Sequence, residues 1–128
     1  MVTPQINREK TCPFLLRVFY KENEAVPIES LKDREPVQME DEVRVYTWMD
    51  ATLREIVEQL KVEIPNARRR DAQFDLNLAI TNLTGGLEYR NIGTIHSTRR
   101  GNLDSFTLHR VRLVIGDFLA VTIKYNLK

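Results

Sequence analysis

Leu53, Ile56, Val57 and Leu60 recur at i, i+3, i+4 and i+7, which puts four apolar side chains on one helical face. Thr52-Leu-Arg-Glu55 reads as a capping box: the Thr52 hydroxyl accepts from the Glu55 backbone N–H, and Glu55 reaches back. Asp50 is a rival N-cap. Pro65 ends the helix, because it disfavours helical geometry at Ile64 and cannot continue the hydrogen-bond ladder. Elsewhere the period is two. Phe74-Asp-Leu-Asn-Leu-Ala-Ile80 alternates and predicts a half-buried strand. Phe14 to Tyr20 and Val43 to Met49, rich in aromatic and β-branched residues, predict two earlier strands. Gly85-Gly86 predicts a turn into a short strand near Tyr89 to Ile92, and Ile115-Gly-Asp117 a turn into a closing strand, Phe118 to Tyr125. Residues 96–105 read as a polar loop, and Thr107 to Val114 is ambiguous. Residues 1–13 lack periodicity and read as a loose lead-in to one domain over 14–128. The acidic stretch 21–41, broken by Pro27 and Pro36, predicts a long loop.

The order is strand, strand, helix, strand, short strand, strand. An α+β domain in which a hairpin is followed by a helix crossing to a mixed sheet is the β-grasp, or ubiquitin-like, plan: about five strands under one main helix. A ferredoxin-like fold is the rival, but it needs a second long helix, for which residues 96–114 supply only a weak pattern.

Composition narrows the function classes. The chain has 128 residues, and 19 Lys+Arg nearly cancel 18 Asp+Glu, for a net charge of +1. Such a balance exerts no global pull on nucleic acid or anionic membrane, so that kind of binding needs a local patch. The lone Cys12 cannot form an intrachain disulfide, which fits a reducing compartment. Residues Met1 to Lys10 hold no apolar run of a secretory signal, and no stretch approaches a membrane span, so the cytosol or nucleus is expected.

The residues give no positive argument for catalysis. His96 and His109 are isolated, Cys12 lies before Pro13 in the lead-in, and Asp41, Asp50, Asp104 and Asp117 are scattered. No phosphate-cradling glycine motif occurs, and no cofactor or metal is expected. Two basic clusters, Arg68-Arg69-Arg70 and Arg99-Arg100, allow a phosphate-backbone contact, and direct nucleic-acid binding is the alternative function. The competing reading, favoured about two to one, is a solvated helix end where the macrodipole attracts cations. No aromatic is interleaved with either cluster.

The first two strands are apolar on both faces. Leu15, Arg17 and Phe19 alternate with Phe14, Leu16, Val18 and Tyr20; Arg44, Tyr46 and Trp48 alternate with Val43, Val45 and Thr47. With Val45 and Thr47 inward, Tyr46 and Trp48 point outward. Either the 21–41 loop or a partner covers that outer face, since Tyr and Trp are common interface anchors. Leu15, Arg17, Phe19, Arg44, Tyr46 and Trp48 are therefore the candidate partner-binding residues.

Several stretches resemble one family: Arg8-Glu-Lys-Thr-Cys-Pro-Phe-Leu-Leu-Arg-Val-Phe19, Tyr46-Thr-Trp-Met-Asp-Ala-Thr-Leu-Arg-Glu-Ile56, Pro65-Asn-Ala-Arg68, Ile92-Gly-Thr94, Asp104-Ser-Phe-Thr-Leu108 and Ile115-Gly-Asp-Phe-Leu119. In order and over nearly the whole chain, they resemble the Sin-three-associated polypeptides, the eighteen-kilodalton subunits of the histone-deacetylase corepressor. The resemblance implies a ubiquitin-like fold and a non-catalytic scaffold role in two nuclear assemblies. One is the Sin-three corepressor, in transcriptional repression. The other is a splicing-associated complex with a segment of acinus or pinin and an RNA-binding serine-rich protein, peripheral to the exon junction complex. It further implies residence in the nucleus and its speckles, with the cytoplasm as a second location, RNA contact mainly through partners, and a monomer outside the complexes. The 21–41 loop departs from the family pattern, and the chain shows neither a proline- and arginine-rich tail nor a terminal Gly-Gly, so conjugation like that of ubiquitin is not expected.

Overall fold

The computed structural model describes residues 6–24, 26 and 42–125. Strands β1 (Phe14–Glu22) and β2 (Glu42–Thr47) are followed by helix α1 (Leu53–Glu63), then β3 (Gln73–Thr81), β4 (Leu87–His96) and β5 (Phe118–Lys124). Two 3₁₀ turns, Pro65–Arg68 and Asn102–Ser105, flank this second half. The five strands form one sheet in the order β2-β1-β5-β3-β4. β1 runs antiparallel to β2 and parallel to β5, and β3 is antiparallel to both β5 and β4. This is the ubiquitin-like β-grasp. Residues 96–114, the weak ferredoxin-like signal, form the second 3₁₀ turn and a run of turns instead of a second α-helix.

The helix signals hold. Thr52 is the N-cap, and its hydroxyl accepts from the Glu55 N–H at 3.2 Å. The Glu55 carboxylate is held by Arg8 rather than reaching back to the cap. Ile64 is extended, as the residue before a proline should be, and its N–H still donates to the Leu60 carbonyl. Leu53, Ile56, Val57 and Leu60 are all buried. They pack on Leu16 and Val18 of β1, Val43 and Val45 of β2, Phe74, Leu76 and Leu78 of β3, and Leu119, Val121 and Ile123 of β5. Each such side chain stabilises the fold by about 1.5–3 kcal/mol through burial.

The opposite face of the sheet carries a second apolar cluster, Phe19, Val26, Ala79 and Ala120, flanked by Leu87, Tyr89 and Phe118. Phe19 and Phe118 meet edge to face at 5.4 Å and 87°. The Tyr89 hydroxyl donates to the Val26 carbonyl at 2.7 Å. Val26 thus brings the start of the 21–41 segment onto this face, while residues 25 and 27–41 lie outside the described residues.

Two elements differ from expectation. β2 ends at Thr47, not Met49: the chain turns at Met49–Asp50, closed by an Ala51 N–H to Trp48 carbonyl bond of 3.0 Å, so that it can enter α1. β4 has ten residues instead of about four. Its pairing with β3 runs from Thr81↔Leu87 to Gln73↔His96, with an irregularity at Leu76/Asn77. Gly93 follows that irregularity with φ +141, and a Cβ there would lie 2.3 Å from the Leu103 side chain. The backbone angle is what favours glycine here, since the Leu103 side chain could move aside but the φ could not.

Candidate interaction surfaces

The outward side of the β1–β2 hairpin collects five of the six residues expected there. Leu15 pairs with Tyr46, Arg17 with Arg44, and Phe19 with Glu42. Tyr46 is 65% exposed. Phe19 is buried in the second cluster, so its aromatic surface is already covered by the chain itself. Arg17 is also engaged: Nε donates to Glu42 Oε2 at 2.6 Å and Nη2 to Oε1 at 3.0 Å, a bidentate pair. Its guanidinium lies 5.2 Å from the Phe19 ring centroid and 5.5 Å from that of Phe118. Arg44 Nε adds a longer contact to Glu42 Oε2, at 3.4 Å. The Glu42 side chain is fully buried, and its hydrogen bond holds the Arg17 pKa above the ordinary guanidinium value. Glu42 escaped the sequence reading because it stands at the edge of an acidic run that resembles solvent-facing loop.

Trp48 lies one residue past the end of β2 and is half-buried. Its indole N–H donates to the Thr11 carbonyl at 2.7 Å, and the Arg8 guanidinium lies 5.0 Å from its ring centroid. Arg8 also pairs with Asp50 at 2.9 Å and with Glu55 at 3.3 Å. The Asp50 bond is the main cause of an Arg8 pKa raised above its usual value. Residues Arg8 to Thr11 therefore cover the tryptophan from the N-terminal side, a contact that no local sequence pattern announces.

The two basic clusters come together. The Thr98 hydroxyl donates to the Arg70 carbonyl at 3.1 Å, and the Ser97 N–H to the Ala72 carbonyl at 2.8 Å. Arg68 behaves as the helix-end reading expects: Nε donates to the Lys61 carbonyl at 2.7 Å and Nη2 to the Val62 carbonyl at 3.0 Å. Arg69 pairs with Asp71 at 3.4 Å and lies 4.9 Å from the Tyr125 ring centroid, so an aromatic distant in sequence does join this cluster. Burial, ahead of the nearby Glu22 carboxylate, pushes the Tyr125 hydroxyl up to about 12. Arg70, Arg99 and Arg100 are exposed.

The loop that carries Arg99 and Arg100 is held by Arg54 of α1. The Arg54 guanidinium donates to the carbonyls of His96 (2.8 Å), Ser97 (3.2 Å) and Arg99 (3.0 Å), and pairs with Asp104 at 2.7 Å. His96 closes the same loop, its Nδ1 accepting from the Thr98 and Arg99 N–H groups, each at 3.1 Å. That arrangement requires a neutral ring with its proton on Nε2. Burial, and then the positive charges of Arg99 and Arg54, lower the His96 pKa. A lowered histidine pKa contributes stability that is present above the ordinary value of 6.5 and lost as pH falls through the folded-state value. Acidification below 6.5 is expected to lower the protection factors of the Thr98 and Arg99 amides, measured against the slower intrinsic exchange in acid, before the sheet responds. An NMR titration in which His96 titrates above 6.5, or protection factors at both amides unchanged, would contradict this.

The backbone N–H of His109, the other histidine, donates to the Met49 carbonyl at 3.0 Å. Cys12 is exposed. Among the described residues no three His, Cys, Asp or Glu side chains gather closely enough to hold a metal ion, and no helix is long and apolar enough to cross a membrane.

The molecule is thus a ubiquitin-like domain that presents an exposed aromatic at one sheet edge and a basic loop beside its helix. The chain belongs to the Sin3 associated polypeptide p18 (SAP18) family, whose model matches residues 5–123. It is 40% identical over 119 residues to a Bos taurus protein named histone deacetylase complex subunit SAP18, covering 92% of this chain and 77% of that one. Proteins of the same name from Arabidopsis thaliana (39% over 122 residues, 92% of this chain and 78% of that one) and Drosophila melanogaster (35% over 121 residues, 93% and 79%) are similar over the same span.

Proposed function

We propose that this chain is a non-catalytic adaptor subunit of nuclear complexes: a histone-deacetylase corepressor, and an assembly in which a segment of acinus or pinin joins it to an RNA-binding serine-rich protein. Family membership supports the corepressor role. The observation that carries the binding mode is Tyr46, exposed on edge strand β2 directly opposite Leu15, with Arg44 two positions away on the same face. Among the described residues β2 pairs with β1 alone, and an extended partner segment adds most readily beside such an edge strand. Tyr46 and Leu15 would supply the apolar anchor and Arg44 the polar rim. Phe19 and Arg17 act from beneath as support, and Trp48 stands apart.

Tyr46→Ala combined with Leu15→Ala is expected to weaken capture of the acinus or pinin segment by about 2 kcal/mol, roughly 30-fold, while the domain stays folded by circular dichroism. Normal capture by a folded double variant would place the contact elsewhere. A tagged chain recovering deacetylase from nuclear extract supports the corepressor role; recovery of neither deacetylase nor splicing proteins would overturn the proposal.

A further inference from the structure

Arg70 and the Arg99-Arg100 pair come from segments 28 positions apart that are joined by the Thr98–Arg70 hydrogen bond. The backbone beneath them is rigidly held. Arg54 donates to the carbonyls of His96, Ser97 and Arg99, and Lys61 Nζ donates to the Ser97 carbonyl at 3.1 Å. The acids close by are already occupied: Asp104 by Arg54, Glu58 by Arg54 and Lys61, and Asp71 by Arg69. Among the described residues Arg70, Arg99 and Arg100 form no ion pair. Their three positive charges therefore stand exposed on an ordered platform, where little loop entropy is lost on binding.

The shape beside them favours one kind of ligand. Three clefts, of about 390, 320 and 240 Å³, share Arg100 as a wall. The first is lined also by Lys61, Ser97, Thr98 and Glu58, the third by Thr94, His96, Arg99 and Asp104, and both of these acids are paired with Arg54. None is lined by an aliphatic or aromatic hydrocarbon side chain, so none offers the anchor pocket on which a protein partner's hot-spot residue depends. Cationic and hydroxyl donors whose neighbouring acids are already paired suit a repeating polyanion, contacted through its backbone.

We propose that Arg70, Arg99 and Arg100 form a docking surface for the phosphate backbone of a nucleic acid, separate from the Tyr46 face. With about three phosphates neutralised, log K should fall against log salt with a slope of about −2 on single strands and about −3 on a duplex. Between 50 and 200 mM salt this is a loss of roughly 20- to 40-fold. The test uses the full chain and fluorescence anisotropy with a labelled single-stranded RNA and a labelled DNA duplex. The variant Arg70→Ala/Arg99→Ala/Arg100→Ala should flatten the slope toward zero on both probes. A control, Lys10→Ala/Lys21→Ala/Arg110→Ala, removes equal charge elsewhere and should keep the slope. An absence of salt-sensitive binding by the wild type, or equal slopes for the two variants, would overturn the proposal. So would tighter binding to a phosphoserine peptide or to phosphatidylserine vesicles than to either nucleic acid. Circular dichroism melts confirm that both variants fold.

Discussion

Replacing Arg54 by alanine is expected to destabilise the protein by about 3–5 kcal/mol, more than an exposed helix arginine would. The Arg54 side chain is only 14% exposed and that of Asp104 only 8%. Truncation would leave the Asp104 carboxylate buried without its counter-charge, and the carbonyls of His96, Ser97 and Arg99 without their shared donor. The cost lies in those unpaired groups, so Arg54→Met with Asp104→Leu should recover much of the loss although both charges are gone. Arg54→Lys should remain well below wild type, because an ammonium cannot span Asp104 and three carbonyls as the guanidinium fork does. Urea unfolding with an unchanged m-value is the measurement. A cost for Arg54→Ala of less than about 1 kcal/mol would reduce the pair to an ordinary surface salt bridge.

Phe19→Ala should cost about 3–5 kcal/mol, and it separates support from contact on the hairpin. Phe19 is 1% exposed, packed edge-on to Phe118 and against Val26, Ala79 and Ala120. Its loss opens a void under the sheet and withdraws the ring beside which the Arg17 guanidinium lies. Tyr46→Ala, on the same hairpin, should change stability by no more than about 0.5 kcal/mol. If the two substitutions cost the same, the second cluster contributes nothing to the fold, and Phe19 returns to being a contact residue.

The mutual positions of these residues follow rules of different range. The face of α1, its Thr52 cap and its end before Pro65 depend on residues within one or two turns, and they were legible. So was β3, whose Phe74, Leu76 and Leu78 alternate with Asp75 and Asn77. β4 was read short because Gly93, Asn91 and Thr94 weaken its local pattern, while its length is imposed by pairing with β3 across residues 73–81. The two-sided character of β1 was visible as Phe19 opposite Val18, but not the identity of what covers it: Val26, Tyr89 and Phe118 come from three separate parts of the chain. That β2 stops at Thr47 and not at Met49 is set by the turn into α1, which no period-two pattern marks.

The sequence by itself determined the element types, the single helix, the inward faces and the presence of two arginine clusters, because periodicity, capping and charge are local properties. Only the tertiary structure decided which charges are spent and which are left. Arg17 closes on Glu42, Arg54 on Asp104 and Arg69 on Asp71, whereas among the described residues Arg70, Arg99 and Arg100 form no ion pair. The physical reason is that a charge's role depends on its neighbours in space. Those neighbours lie 25 residues away for Glu42 and 50 for Asp104, separations over which no local pattern carries information.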